Sequence, residues 1–481
     1  MMITCSTMGL RYSLFLSFVT VLLTFINEKS IFCDAFSHSF FLRTNKHMNF
    51  PTCIRNERQI FPLAVHTDEK GNSLETSREK NRESYNSHSS QHPYNPLDKE
   101  KTPKCFEDAW IRNDIELGKD AMDMERKIKN NEAIIGPSHV IIYDTSLRDG
   151  TQGESVSVSC DDKLKIATHL ASFNIDFIEC GWPGSNPKDA EFFIRAQIEL
   201  DSHTKDKLVA FGSTRRKNVR ACDDSQIKAL LDSKAPTVCI VAKGNLWQVT
   251  DIIRASPKEN LEMISDSVKY LTEMGLRVFV DLEHFFDGYK LDRDYSLKCC
   301  ASAVESGAKG LVLCDTNGGS MPWEVEEITR VVTKHFGGEN GVTVGIHAHN
   351  DCGMAVANSL SSIRGGSGLV QGTINGIGER TGNADLCSII PTLLLHMESK
   401  VSCKSNLKFI SKLSRFVDET LNRSHNSAAP FVGTSAFAHK GGLHVSAMKR
   451  NPLSYQHVDP DLVGNEMRVL ISELSGRQNI M

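Results

Sequence analysis

From His139 onward the chain repeats one pattern. Short runs of Val, Ile, Leu and Phe alternate with longer stretches in which apolar residues recur every three or four positions. The runs are HVIIYD (139–144), IDFIEC (175–180), LVAFGS (208–213), TVCIVA (237–242), RVFVDLEH (277–284), KGLVLCD (309–315), VTVGIHAH (342–349) and LVQGTING (369–376). Near-continuous apolar strands are what a parallel sheet covered on both faces requires. The stretches between them read as helices. SCDDKLKIATHLASF opens with a capping box, Ser159 to Asp162, and carries Leu164, Ala167, Leu170 and Ala171 along one face. NPKDAEFFIRAQIEL, LEMISDSVKYLTEMG and EVEEITRVVTKHF behave alike. Eight such units between residues 138 and 400 predict an α/β fold, a (β/α)8 TIM barrel, whose usual size is about 250 residues. A doubly wound open sheet is the rival. The absence of a Gly-rich dinucleotide turn after the first run weighs against it.

A barrel of this kind gathers its chemistry where the strands end. The polar residues fall there. Asp144, Arg148 and Asp149 close or follow the first run, and Glu179 closes the second. Glu283 and His284 close the fifth, and Asp315, Thr316 and Asn317 the sixth. His347 and His349 close the seventh, and the eighth runs into Asn375, Glu379, Arg380 and Asn383. Residues two apart on a strand share a face, so His347 and His349 project together. Paired imidazoles suit a divalent metal, and two hydrogen-bonded core histidines are the alternative. The first, seventh and eighth strands are neighbours in a closed barrel, so Asp149 can reach the same point and Asn383 can add a second oxygen. Two nitrogens and two oxygens with open positions make a catalytic site for Mg²⁺, Mn²⁺ or Zn²⁺. Such an ion can chelate a 2-oxo acid, and Arg148 can stabilise an enolate oxygen. The plainer reading of Arg148 is a salt bridge to Glu379 or Asp144.

LRDGTQGESVSVSCDDK (147–163), VGIHAHNDCGMAVA (344–357) and GERTGNAD (378–385) resemble the signatures of the acetyl-CoA-dependent 2-oxo-acid synthases. These are the 2-isopropylmalate, homocitrate and citramalate synthases of the DRE-TIM metallolyase superfamily. GWPGSNPKDAEFF (181–193), EHFFDGYK (283–290) and LCDTNGG (313–319) are most similar to the longer bacterial-type citramalate synthases. The resemblance covers residues 138–481. It implies that Asp149, His347, His349 and Asn383 bind the metal and that Arg148, Glu283 and Thr316 contact substrate. It implies that Glu379 orients Arg148 or the metal shell. The substrates implied are acetyl-CoA and pyruvate, joined by a Claisen-type condensation that feeds isoleucine synthesis. 2-Isopropylmalate synthase, acting on 2-oxoisovalerate, is the near alternative, and a catalytically inactive paralogue is another. RDG stands where the lyases of the superfamily carry Arg-Glu, and their Gly-rich, Cys-bearing loop is missing, which counts against cleavage of hydroxymethylglutaryl-CoA.

Residues 401–481 begin with an amphipathic helix and continue into GTSAFAHKGGLHVSAMKRNPLSYQHVDPDLVGN, read as a small, mainly helical subdomain. A base must remove a methyl proton from acetyl-CoA, and histidine suits that task at neutral pH. The resemblance assigns it to this segment, with His444 favoured over His439, sometimes reaching a partner subunit's site. That implies a homodimer. Relatives usually continue into a regulatory domain that binds an end-product amino acid. The expectation for these residues alone is no response to isoleucine or leucine.

The N-terminus differs. Ser13–Ile26 is an uncharged apolar run of signal-peptide length. Residues 35–66 carry one acid, Glu57, among Ser, Asn, His and basic residues, which is a transit-peptide composition. Residues 1–66 therefore resemble a bipartite plastid presequence, with secretion as the alternative. A fluorescent-protein fusion to residues 1–70 is expected to reach plastids, and retention in the secretory pathway contradicts this. Residues 67–137 read as a polar linker and a charged lead-in helix. The 14 cysteines include no CxxC pair, and several lie in apolar runs, as buried free thiols do in a reducing compartment. A net charge of −4 offers no footprint for nucleic acid, and no membrane association is expected of the mature form.

Overall fold

The computed structural model describes residues 137–471 apart from 138, 155, 339 and 340. The expected presequence and nearly all of the linker and lead-in helix lie outside the described residues.

Eight parallel strands close into a barrel in sequence order. They are β1 (Ile141–Asp144), β2 (Phe177–Glu179), β3 (Leu208–Ser213), β4 (Thr237–Lys243), β5 (Arg277–Glu283), β6 (Gly310–Asp315), β7 (Thr343–Ala348) and β8 (Leu369–Gly372). β8 pairs with β1 from Ile141↔Leu369 to Asp144↔Gly372, which excludes an open sheet. Each strand is followed by a main helix: α1 (Cys160–Phe173), α2 (Pro187–Glu199), α3 (Ser225–Asp232), α4 (Pro257–Glu273), α5 (Arg293–Glu305), α6 (Pro322–Phe336), α7 (Ala355–Arg364) and α8 (Leu386–Leu395). Their starts are written locally. Ser159 and Asp162 form the expected capping box on α1, and Asn186 and Ser256 cap α2 and α4 just ahead of a proline.

Alternation along the strands sorts residues into two cores. Ile142, Ile178, Leu208, Val238, Val280, Leu311 and Ile346 face outward and pack under the helices. Tyr143, Val209, Phe211, Cys239, Phe279, Val312 and Leu369 face inward and plug the barrel. Gly345 makes room for that plug, because a Cβ there would sit 2.7 Å from Leu369 Cδ2. Above the plug the inward positions turn polar, with Glu179, Asp281, His347 and Gln371 all buried. Buried polar side chains must find partners within the barrel, so this layer is where chemistry is concentrated.

One ion pair fixes the approach to that layer. Lys163 of α1 is 1% exposed and donates to Asp189 of α2 and to Cys180 O. The other oxygen of Asp189 accepts Trp182 N–H at 2.8 Å. The pair thus holds the β2–α2 loop and, with it, the Trp182 ring over the barrel mouth.

Beyond the barrel, a 3₁₀ segment (Lys404–Phe409) leads into α9 (Ile410–Thr420). Phe416 of α9 stacks on His169 of α1 at 3.7 Å between ring centroids. A two-stranded parallel ribbon, β9 (Ala438–His439) with β10 (Arg468–Val469), and α10 (Gly442–Arg450) complete the small subdomain.

Candidate active site

After β1 the chain crosses the rim in a tight turn. Arg148 N–H and Gly150 N–H both donate to Thr145 O. Ser146 accepts Ile374 N–H through its hydroxyl at 2.8 Å, tying this turn to the end of β8. Gly150 is needed for space: a Cβ would meet Ile377 Cδ1 at 2.8 Å. Arg148 and Asp149 are thereby aimed into the barrel mouth.

Arg148 donates through Nε to Glu179 Oε1 at 2.5 Å and through Nη1 to Asp149 Oδ1 at 2.8 Å. Its guanidinium carbon lies 3.9 Å from the Phe211 ring centroid. Nη2 makes no protein hydrogen bond among the described residues. The partner is Glu179, neither Glu379 nor Asp144 as the sequence suggested. Glu179 is the last inward residue of β2, adjacent to β1, whereas Glu379 stands exposed on the loop after β8. Glu179 also accepts Tyr143 O–H at 2.6 Å.

Asp149, His347 and His349 present ligand atoms within 4.8 Å of one another, and all three are buried. His347 Nε2 lies 3.3 Å from His349 Nε2 and 3.0 Å from Asp149 Oδ2. Asp149 Oδ2 nonetheless makes no hydrogen bond of sound geometry, and the same holds for Asn383 Oδ1 and His349 Nδ1. Asn383 pairs by its backbone with His349, and its Nδ2 donates to Ile377 O at 3.1 Å, which leaves the oxygen unspent. Orphaned buried acceptors beside two imidazoles are what a bound cation satisfies. These residues fit a divalent metal ion. Burial pushes the Asp149 carboxyl up, but the Arg148 guanidinium and His347 outweigh it and hold it well below the usual carboxylate range. Burial and neighbouring His347 bring His349 down to about 4, so it offers a lone pair at neutral pH. Burial would lower His347, yet the Asp149 carboxylate more than compensates and raises it. The same negative field favours a cation at this point.

The cavity here holds about 220 Å³ and is lined by Arg148, Asp149, Trp182, Phe211, Val241, Asp281, Glu283, Thr316, His347, His349, Glu379 and Arg380, among others. Thr316 Oγ1 accepts His284 N–H at 2.8 Å, and Glu283 pairs with Lys243 across β4 and β5. Arg380 grips Asp351 with two bonds of 2.8 and 2.9 Å and donates to Thr316 O, joining the loops after β6, β7 and β8. His444 and His439 do not line this cavity. His444 is exposed on α10 with its ring stacked on Tyr455 at 4.0 Å, and His439 lies 6.5 Å from it. Trp182, Asp281 and Gln371 escaped the sequence analysis as site residues. Period-two counting back from the β5 and β8 ends would have found the last two.

Comparison with known proteins extends the picture. The HMGL-like family model matches residues 139–417, and a homocitrate synthase post-HMGL domain-like model matches 431–481. An (R)-citramalate synthase of Geobacter sulfurreducens is 50% identical over 346 residues, covering 72% of this chain and 64% of that protein. One from Aquifex aeolicus is 48% identical over 342 residues, 71% of this chain and 64% of its own length. The chain thus spans less than two thirds of these relatives. A 2-isopropylmalate synthase of Sulfolobus acidocaldarius is 30% identical over 342 residues, 71% of this chain and 84% of that protein. Among solved structures, hydroxymethylglutaryl-CoA lyase from Pseudomonas aeruginosa shares the fold, with TM-score 0.50 and 20% identity over 60% of this chain and 95% of its own. A family model that spans more than half of the 481 residues, together with the closed barrel and the rim it predicts, places the chain in the HMGL-like family.

Proposed function

We propose that the protein catalyses a metal-dependent Claisen condensation of acetyl-CoA with pyruvate, giving citramalate and CoA, in isoleucine synthesis. The observation that carries this reading is the set of unspent acceptors on Asp149, His349 and Asn383 beside Arg148. The citramalate synthases at 44–50% identity support pyruvate as the acceptor over 2-oxoisovalerate, whose synthases stand at 30–32%.

Asp149, His347, His349 and Asn383 would hold the ion, Mg²⁺, Mn²⁺ or Zn²⁺. Bound there, it supplies Lewis-acid polarisation of a 2-oxo group. Arg148 keeps Nη2 for an oxygen that gains charge during carbon–carbon bond formation, while Glu179 and Phe211 hold its plane. Trp182, Phe211 and Val241 offer an apolar wall to the pyruvate methyl. Thr316 and Glu283 stand where the acid can be bound. A base takes a methyl proton from acetyl-CoA, the methyl carbon bonds to the ketone carbon of pyruvate, and the ketone oxygen takes up a proton and stays in the product as its hydroxyl. Water then replaces the CoA thiolate. His444 is our base. Because it is exposed and outside its own chain's cavity, it acts on the site of a second copy in a homodimer.

Thiol release from acetyl-CoA, with pyruvate, 2-oxoisovalerate and 2-oxoglutarate offered in turn, tests the reading. Preference for pyruvate is expected. One methylene in such a pocket is worth about 1–3 kcal/mol, or roughly 10–200-fold in kcat/KM. Preference for 2-oxoisovalerate overturns the assignment, and no release with any acid points to an inactive paralogue.

A further inference from the structure

Gln371 lies in β8 directly opposite His347 of β7 in the strand register. It is completely buried. Its Oε1 stands 2.7 Å from His347 Nδ1, and its Nε2 donates to Asp281 Oδ1 at 2.9 Å across the barrel interior. The same Asp281 oxygen accepts Cys239 S–H at 3.1 Å. An oxygen that receives two donors acts as an acceptor, so it decides which end of the Gln371 amide faces it. The amide carbonyl is thereby turned to His347. A carbonyl accepts and cannot donate, so His347 carries its proton on Nδ1. Its Nε2 then faces Asp149 Oδ2 at 3.0 Å and His349 Nε2 at 3.3 Å, and is the nitrogen that a cation at this point would draw on.

We propose that Gln371, oriented by Asp281, is a positioning residue that fixes His347 in the Nδ1–H tautomer and so builds the cation site. This rests on the metal-site reading above. With the amide reversed, N–H would face Nδ1, the ring proton would move to Nε2, and the site would lose a ligand. An amide also relays the orientation without adding charge. That matters in a barrel that already buries Glu179, Asp281 and Asp149, where another unpaired charge would be costly.

The test titrates Mn²⁺ into metal-free protein and follows the free-ion paramagnetic resonance signal. In parallel, ¹⁵N-histidine NMR of the metal-free protein reads the His347 tautomer. Gln371→Met keeps volume and loses the acceptor. It is expected to bind Mn²⁺ about 10–100-fold more weakly, the usual effect of losing a partner behind a ligating histidine, with the Nδ1–H signature lost. Gln371→Glu, protonated in that setting, still accepts from His347 and donates to Asp281. It is expected to keep both the affinity and the signature, which separates lost orientation from lost folding. Wild-type affinity in Gln371→Met, or an unchanged tautomer, overturns the proposal while leaving the metal site intact. Absence of Mn²⁺ binding by the wild type overturns both.

Discussion

Asp149→Asn is expected to lower kcat with acetyl-CoA and pyruvate by on the order of 10³-fold, several kcal/mol of lost Lewis-acid assistance at 1.36 kcal/mol per tenfold. The substitution keeps the size and one oxygen but removes the charge that faces His347 Nε2 at 3.0 Å. Arg148 would still be held by Glu179 and Phe211, so the oxyanion partner stays in place. The loss should therefore appear in divalent-cation affinity as well as in kcat. Calorimetric titration of the metal-free variant checks the first and thiol release the second. A variant with unchanged cation affinity and kcat within about tenfold of wild type contradicts the assignment of Asp149 as a ligand.

His444→Ala is expected to cost about 10²–10⁴-fold in kcat, the range for loss of a general base. The ring is exposed and stacks only on Tyr455 and near His439, so its removal leaves no buried group unsatisfied and should not unfold the subdomain. His439→Ala serves as the control and should retain most activity. Exchange of the acetyl-CoA methyl protons with deuterated water isolates the step, and it should vanish in His444→Ala alone. If His439→Ala abolishes citramalate formation while His444→Ala does not, the base is misassigned. Mixing His444→Ala with Asp149→Asn protein reports which chain supplies the base. Regained activity places it across a subunit boundary, and none places it within one chain.

Much of the barrel was legible because a buried parallel strand needs a dense apolar run, and few other structures do. β3, from Leu208 to Ser213, coincides with its run residue for residue. β8 does not. The run continues to Gly376, but the strand ends at Gly372 and Ile374–Gly376 turns as a 3₁₀ segment with Asn375 at φ 62°. Thr373 instead exchanges hydrogen bonds with Ala384 and Leu386, a pairing between residues too far apart for local pattern to reveal. The site divides similarly. His347 and His349 were legible because polar residues closing an apolar strand have few reasons to be there, and Asp149 because it sits in a charged turn just after such a strand. The partner of Arg148 was not. Glu179 and Glu379 look alike in sequence, and only closure of β2 against β1 puts the former beneath the guanidinium. Gln371 carries no signal of its own. Its role follows from the β7–β8 register and from an aspartate ninety residues away on β5.

Product formation with and without a divalent ion distinguishes a metal-dependent condensation from other chemistry. Purified protein stripped with a chelator, dialysed, and given acetyl-CoA and [¹³C]pyruvate should yield no labelled citramalate by NMR. Restoring Mg²⁺, Mn²⁺ or Zn²⁺ should produce citramalate and CoA in equal amounts. Citramalate formed at full rate in the presence of excess chelator, or thiol released after metal addition without citramalate, would contradict the account.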